Sequence, residues 1–248
     1  MTVPTADASP RGAARVAGIA YLLTFAVVVC ANFGILTRLS VPGDAVATAR
    51  NILAHEGLFR LYLACNVFYV AGVVVLLTAL YALLAPVHRS LALLAAVSRL
   101  VFALMWLLAT VIPYFVLRLL HGAPYLEVFE TGQLQALAKL YLGGWRETYY
   151  VGLPFYGMAS TVCSYLWLKS GQIPRWLAAW GVIASGWCVL TAVAFIAIPH
   201  FEKTVNDWLF DSPMSLFELA VGGWLLFKGV RPNLAQEPRS PITTPSLL

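Results

Sequence analysis

Two charged residues inside long apolar runs are the residues of this chain best able to do chemistry. Arg99 lies within the run 91–120 and Glu218 within the run 213–230. A charge at the centre of a bilayer costs on the order of 3 kcal/mol, so such a residue turns inward and finds a partner. The depths of Arg99 and Glu218 differ by about one to two helical turns, which an arginine side chain can bridge. We therefore expect an Arg99–Glu218 ion pair, with a proton relay as the alternative.

A second group of charged and histidine side chains falls near the ends of apolar runs, on one side of the expected membrane. Its candidate anion contacts are Arg60, Arg118, Arg146 and Glu147, with His55, Glu56 and His121 nearby. Three arginines with an interleaved glutamate can bind a lipid headgroup or another carboxylate through paired hydrogen bonds. The alternative is that these residues anchor helix ends at the membrane interface.

Motifs of catalysis and of cofactor binding are absent from the sequence. There is no GxSxG, Walker or dinucleotide glycine pattern. His55, His121 and His200 could hold a metal with an outer acid, but no HxxxH or HxxE spacing supports this. The four cysteines lie in separate apolar runs without a CxxC pair, which is typical of small core residues. The sequence therefore favours a protein that is not an enzyme, with no catalytic residue, cofactor or metal.

Composition indicates a membrane protein. Hydrophobic residues make up 60% of the 248 positions and charged residues 11%, with a mean hydropathy of +0.80. Soluble domains carry roughly 25% charged residues, and so few charges could not cover so much apolar surface in water. The net charge of +5 comes from residues scattered over short loops, which indicates membrane orientation rather than nucleic-acid binding.

Six apolar runs are candidates to cross a hydrocarbon core of ~30 Å as helices. They are 14–36, 58–84, 91–120, 149–168, 174–198 and the shorter 213–230. We expect an all-α bundle of six spanning helices over residues 14–230. Residues 1–13 and 231–248 are polar or proline-rich, and we expect them to be disordered tails. A cleaved signal peptide is the alternative interpretation of the first run.

The loop charges favour cytoplasmic ends for both termini, in an inner membrane. With the N-terminus inside, the inner side holds eight basic residues and the outer side seven. The inner ones lie in the shortest loops and tails, where the positive-inside rule applies best. The outer loops also hold two short amphipathic segments, one beginning after Asp44 and one over 133–141, which we expect to lie as surface helices in the interface.

Two parts of the chain are spaced alike. Phe68-Tyr69, Arg89 and Ile112-Pro113 follow one another at nearly the same intervals as Phe155-Tyr156, Arg175 and Ile198-Pro199. Each set describes a hairpin that runs from the outer side to the inner side and back. One interpretation is a duplicated helical hairpin, with spans 2–3 and 4–5 as the copies. Chance similarity of apolar sequence is the alternative.

Several short motifs, taken in order, resemble those of a known family. They are Arg15-Val-Ala-Gly-Ile-Ala-Tyr-Leu22, Val41-Pro-Gly-Asp-Ala45, Leu58-Phe-Arg60, Pro86-Val-His-Arg-Ser-Leu-Ala-Leu-Leu94, Ser170-Gly-Gln-Ile-Pro-Arg175 and Glu218-Leu219 ahead of Lys228-Gly-Val230. Over residues 11–231 the chain resembles the DUF4386 family of bacterial membrane proteins. The resemblance implies a multi-pass membrane protein and no particular activity. It departs from the family in Phe217, where a glycine is typical.

Three classes of function fit this description. The first is binding or transport of a small amphipathic or lipid-like molecule within the bundle, through Arg60, Arg99, Arg146 and Glu218. The second is a membrane enzyme that modifies lipids at the outer face. The third is a structural or regulatory partner of another membrane protein. The expected partners are the bilayer and such a ligand; the sequence leaves the oligomeric state open.

Overall fold

The computed structural model describes residues 9–122, 124–199, 201, 205 and 207–231, and these residues form an all-helical bundle. Its α-helices are α1 (Pro10–Val29), α2 (Thr37–Leu39), α3 (Ala45–Ala54), α4 (Glu56–Leu84), α5 (Arg89–His121), α6 (Thr131–Ser170), α7 (Arg175–Ala197) and α8 (Asp207–Phe227). A π-helix, Cys30–Leu36, joins α1 to α2, and a 3-10 turn, Pro124–Leu126, precedes α6. The described residues contain no strand, as the sequence predicts.

Six long helices form a closed ring. The helices α1, α4, α5, α6, α7 and α8 pack each on the next in this order, and α8 packs back on α1. The ring closes through glycines: a Cβ atom on Gly18 would lie 2.5 Å from the Leu226 nitrogen and 2.8 Å from the Gly222 oxygen. Small residues at such a contact let two helix backbones approach closely, which is how helices associate in a bilayer.

Among the described residues, four helices are long and apolar enough to cross a membrane. They are the continuous helix Pro10–Leu39, Glu56–Leu84, Arg89–His121 and Arg175–Ala197. They contain or closely match the first, second, third and fifth predicted runs. The apolar part of α8, Ser212–Phe227, is shorter than these four. The fourth predicted run, 149–168, lies in α6 and includes four tyrosines, two serines and a threonine, which lower its hydropathy.

The outer segment 133–141 is not a separate surface helix. It is the first part of α6, a continuous helix of 40 residues that is about 60 Å long. Gly143 and Gly144 weaken the middle of this helix without ending it. The rings of Trp145 and Tyr149, one turn apart, stack at 5.8 Å and both pack edge-on against Trp106 of α5. This packing stabilises the helix between residues 141 and 149, where the sequence predicted that one helix ends and another begins.

Local capping accounts for several helix ends. Pro10 opens α1 and the Ser9 hydroxyl accepts a hydrogen bond from the Gly12 amide, so the helix begins within the predicted tail 1–13. Asp44 caps α3 as predicted, accepting from the Ala47 amide at 2.8 Å. Gly171 ends α6 with φ of 67°, a conformation that glycine adopts without strain. Residues 1–8 and 232–248, predicted to be disordered, lie outside the described residues.

The bundle has two ends of different character. The turn face holds the α4–α5 turn (85–88), the α6–α7 turn (171–174), the start of α1 and the end of α8. Hydrogen bonds tie it together: the Gln172 side chain donates to the Leu83 oxygen at 3.3 Å, and the Arg231 amide donates to the Gln172 oxygen at 3.0 Å. The loop face at the opposite end holds the π-helix, α2, α3 and the longer connections.

Candidate functional site

Arg99 occupies the centre of the bundle and contacts three other helices. Its side chain, which is 3% exposed, donates a hydrogen bond from Nη2 to the Ser160 hydroxyl of α6 at 2.7 Å. Its Nη1 lies 3.5 Å from the Glu218 Oε1 of α8. The guanidinium also lies 5.6 Å from the ring centroid of Tyr21 on α1 and 5.2 Å from that of Tyr156. The structure thus brings together the two charges that the sequence paired, and it adds a shorter bond to Ser160.

The surroundings of Arg99 are closed. The cavity that reaches it has a volume of about 10 Å³ and is lined mainly by leucine and alanine side chains of α4 and α5, with Cys163. Such a void holds about one water molecule. Nε of Arg99 is buried and has no hydrogen-bond partner among the described residues, so a water in this void is the ligand that would fit it. The Arg99 centre therefore joins helices and leaves no space for an organic ligand.

Other polar residues within the bundle also link helices. The Trp106 indole donates to the Asn66 side-chain oxygen at 2.9 Å, between α5 and α4. The Thr161 hydroxyl donates to Ser185 at 2.7 Å, between α6 and α7. The Ser98 hydroxyl instead donates to the Leu94 oxygen within its own helix. A serine inside a helix can bond the carbonyl one turn earlier in this way.

At the loop face, Glu56 joins two of the predicted outer residues. Its carboxylate accepts from Arg60 Nε at 2.6 Å and lies 3.0 Å from His121 Nε2 of α5. The Arg60 side chain is 55% exposed and that of His121 is 48% exposed. Because both partners face outward, this group fastens the start of α4 to the end of α5 and encloses no pocket.

The remaining outer residues do not join this group. Arg118, Arg146 and Glu147 are exposed, and within the described part of the chain no ion pair connects them to Glu56, Arg60 or each other. The predicted cluster therefore separates into the Glu56 group and three independent surface charges. Helical spacing placed them all at one end of the bundle, but it could not tell which way each one faces.

The histidines do not converge. His55 Nδ1 bonds the Asn51 backbone oxygen, and His88 caps α5 at the opposite face. His200 lies outside the described residues. In the part of the chain that the structure describes, no group of three or more histidine, cysteine, aspartate or glutamate side chains is placed to hold a metal ion. Cys163 and Cys188 are buried, whereas Cys30 is exposed and Cys65 half-buried, so only two of the four are core residues.

A ligand-sized cleft lies at the loop face, with a volume of about 580 Å³. We call it the loop-face cleft. Its walls are α3, the end of α5 and the start of α6. Its polar lining residues are Arg50, Thr131 and Gln135, and its apolar ones are Val46, Ala49, Leu53, Ala54, Leu119, Leu120 and Leu134. Apolar walls with a few polar groups at one place are typical of small-molecule sites.

A family model described as "Domain of unknown function (DUF4386)" matches residues 16–229 of the chain. The chain belongs to the DUF4386 family. This confirms the family that the ordered motifs indicated. No curated protein and no solved structure matches this DUF4386 protein.

The motifs that suggested the DUF4386 family lie at helix ends and helix contacts. Arg89 and Arg175 are the first residues of α5 and α7, each directly after a tight turn. Phe217, where the family typically has glycine, is 1% exposed, and its ring packs directly over Gly181 of α7 and 6.2 Å from Trp180. Gly181 makes room for this ring, so the departure is accommodated next to Glu218.

Arg50 is the cleft residue that sequence reasoning counted only as a loop charge. It lies one helical turn after Val46 and between Ala49 and Leu53, so it borders the apolar stripe of α3. An arginine beside an apolar stripe on an amphipathic segment is the signal that could have found it. That α5 and α6 meet this stripe to form a cleft depends on long-range packing, which the sequence does not display.

Proposed function

We propose that this DUF4386 protein is a six-span membrane protein that holds a small amphipathic or lipid-like molecule in its loop-face cleft. The observation that carries the proposal is the cleft itself. Its volume of about 580 Å³ falls in the range of roughly 300–1,000 Å³ of small-molecule sites, and its lining is largely apolar. The cavity beside Arg99, where the sequence suggested a ligand, has a volume of about 10 Å³, which is room for about one water.

The prediction of six spans is supported by the packing of α6 and α8, the two long helices that are less apolar than the other four. In the ring, α6 packs between α5 and α7, and α8 packs between α7 and α1. Each therefore runs beside two helices that are long and apolar enough to cross a membrane. Backbone polar groups must be satisfied at that depth, and helices satisfy them within the segment. The membrane domain then covers about residues 14–230, with a polar tail at each end.

Cytoplasmic termini in a bacterial inner membrane are supported by the charges of the turn face. The described basic residues at or near it are Arg11, Arg15, Arg89, Lys169, Arg175, Lys228 and Arg231, and no described acidic residue accompanies them. Basic residues next to short connections stay on the cytoplasmic side. The loop face, with its mixed charges and its cleft, would then lie on the outer side.

A duplicated hairpin is supported by equivalent environments in the pairs α4–α5 and α6–α7. Tyr69 and Tyr156 are both buried, while the preceding Phe68 and Phe155 are both exposed. The two hairpins differ at the end of their second helix. Pro113 lies inside α5, whereas α7 ends at Ala197, before the equivalent proline. Duplication of a hairpin explains why both tight turns lie at the same face.

Cysteine accessibility tests the topology. With the four native cysteines replaced by alanine, single cysteines at the exposed positions Arg89, Glu127 and Lys169 are labelled with a membrane-impermeant maleimide. We expect labelling at position 127 in intact cells, and labelling at 89 and 169 only after lysis. Because Glu127 and Lys169 lie on either side of α6, labelling of both under the same condition would show that α6 does not cross.

Ligand retention tests the cleft. The protein is purified in a mild detergent, and the molecules that remain bound are identified by mass spectrometry. Ala54→Trp fills the cleft from an exposed lining position, and Ala136→Trp, also exposed but outside the lining, is the matched control. We expect Ala54→Trp to lose the bound amphiphile and Ala136→Trp to keep it. Equal retention by both variants would contradict the proposal, and stoichiometric co-purification of another protein would favour the partner function.

A further inference from the structure

We infer that the cleft ligand is a membrane lipid with an anionic headgroup, which Arg50 binds while the apolar wall holds an acyl chain. This inference rests on the proposed function and adds the chemical class of the ligand. Its basis is the juxtaposition, in one cleft, of an arginine with no ion-pair partner among the described residues, two neutral polar side chains and a leucine-rich wall.

Arg50 forms no ion pair with any described residue. No carboxylate among the described residues lies within ion-pair distance of it. Two acids of the loop face are engaged elsewhere: the Asp44 carboxylate caps α3, and that of Glu56 binds Arg60 and His121. An arginine that borders an apolar cleft and has no acidic neighbour can form its ion pair with an anionic ligand bound in that cleft.

The wall that carries Arg50 is held in place. The Thr48 hydroxyl accepts from the Val41 amide at 3.0 Å, and the Lys139 ammonium of α6 donates to the Val41 oxygen at 3.0 Å. On its inner side, Ile52 of α3 packs in one hydrophobic cluster with Ala138 of α6. The backbone at position 50 is therefore held relative to α6, whose Thr131 and Gln135 line the same cleft as Arg50.

The apolar half of the cleft decides between a lipid and a water-soluble anion. Leu119 and Leu120 come from the last turn of α5, and Leu134 from the first turns of α6. This is where a spanning helix reaches the interface, so the polar residues lie at headgroup level and the leucines toward the hydrocarbon. A free anion would leave this wall in water, whereas an acyl chain covers it.

Binding of two matched lipids tests the inference. Fluorescent phosphatidylglycerol and phosphatidylcholine with the same acyl chains are titrated into the purified protein in a neutral detergent. We expect phosphatidylglycerol to bind at least about tenfold more tightly. Arg50→Gln should remove this preference, while Arg50→Lys should retain part of it. Arg118→Gln is the matched control, because it removes an exposed arginine of the same face that does not line the cleft.

The outcomes separate this inference from the proposed function. If both lipids bind equally to the unaltered protein and Ala54→Trp abolishes both, the charge inference is wrong and the cleft function stands. If neither lipid binds, the inference is wrong, and the ligand-retention experiment decides separately whether the cleft holds another amphiphile. An equal loss of preference in Arg118→Gln would mean diffuse surface attraction, and full competition by inorganic phosphate would mean a soluble anion site; either result overturns the inference. Unchanged thermal unfolding of Arg50→Gln verifies that its effect is on binding.

Discussion

The guanidinium of Arg99 on α5 lies 3.5 Å from the carboxylate of Glu218 on α8, across 119 positions of sequence. With Ser160 and the rings of Tyr21 and Tyr156, this contact ties four of the six ring helices at one level of the bundle. Burial of two charges is costly, and their attraction offsets that cost only when further hydrogen bonds complete the site. The contact therefore contributes most by specifying which helices meet.

Removing one charge of this pair should destabilise the bundle more than removing both. Arg99→Met deprives the Glu218 carboxylate of its cation and should cost about 3–5 kcal/mol, whereas a buried pair replaced by neutral groups is often tolerated. We expect the double variant Arg99→Met/Glu218→Gln to recover much of this loss. Thermal unfolding in detergent, followed by size-exclusion chromatography, measures it. Strictly additive effects of the two substitutions would show that the residues do not interact.

Ser160→Ala should destabilise the protein because it removes the acceptor of the shortest Arg99 bond. Hydrogen bonds to charged groups contribute about 1.5–3 kcal/mol. Ser164→Ala is the control one turn further along α6: this hydroxyl is equally buried and has no hydrogen-bond partner among the described residues. We expect the unfolding temperature of Ser164→Ala to stay near that of the unaltered protein. A larger effect for Ser164→Ala would mean that serine packing, not the bond to Arg99, matters here.

Gly18→Ala should open the ring between α1 and α8. Its new methyl group would meet the backbone of Leu226 and Gly222, which cannot rotate away as a side chain can. Overpacking of this kind typically costs 1–3 kcal/mol, about as much as or more than alanine gains in helix propensity. Gly223→Ala is the control, since nothing lies within 4 Å of its added Cβ atom. Gly18→Ala should raise protease sensitivity and lower the unfolding temperature, whereas Gly223→Ala should do neither.

Trp106→Phe should destabilise the contact between α4 and α5. It leaves the buried Asn66 oxygen without the indole donor, and an unsatisfied buried polar group costs about 1–3 kcal/mol. Trp145→Phe removes a neighbouring indole of the same aromatic cluster whose N–H has no partner among the described residues. We expect a smaller decrease in unfolding temperature for position 145. Equal decreases would assign the effect to ring packing instead.

Much of the architecture could be predicted because it depends on local patterns. Apolar runs predicted the helices, Asp44 predicted the start of α3, and the ordered motifs predicted the family. The continuous α6 was missed because its polarity changes midway, while packing of Trp145 and Tyr149 on Trp106 keeps it helical. Hydrophobic periodicity describes the polarity of one segment and does not show which other helix packs against it.

The candidate sites divide in the same way. Sequence alone singled out Arg99 and Glu218, because a charge in an apolar run is costly wherever the chain folds. It also predicted helices long and apolar enough to cross a membrane, since so few charges could not cover so much apolar surface in water. Only the tertiary structure decided that Ser160 shares Arg99, that the interior is closed, and that Arg50 borders a cleft. Those features depend on which helix faces meet, and these contacts join residues far apart in the chain.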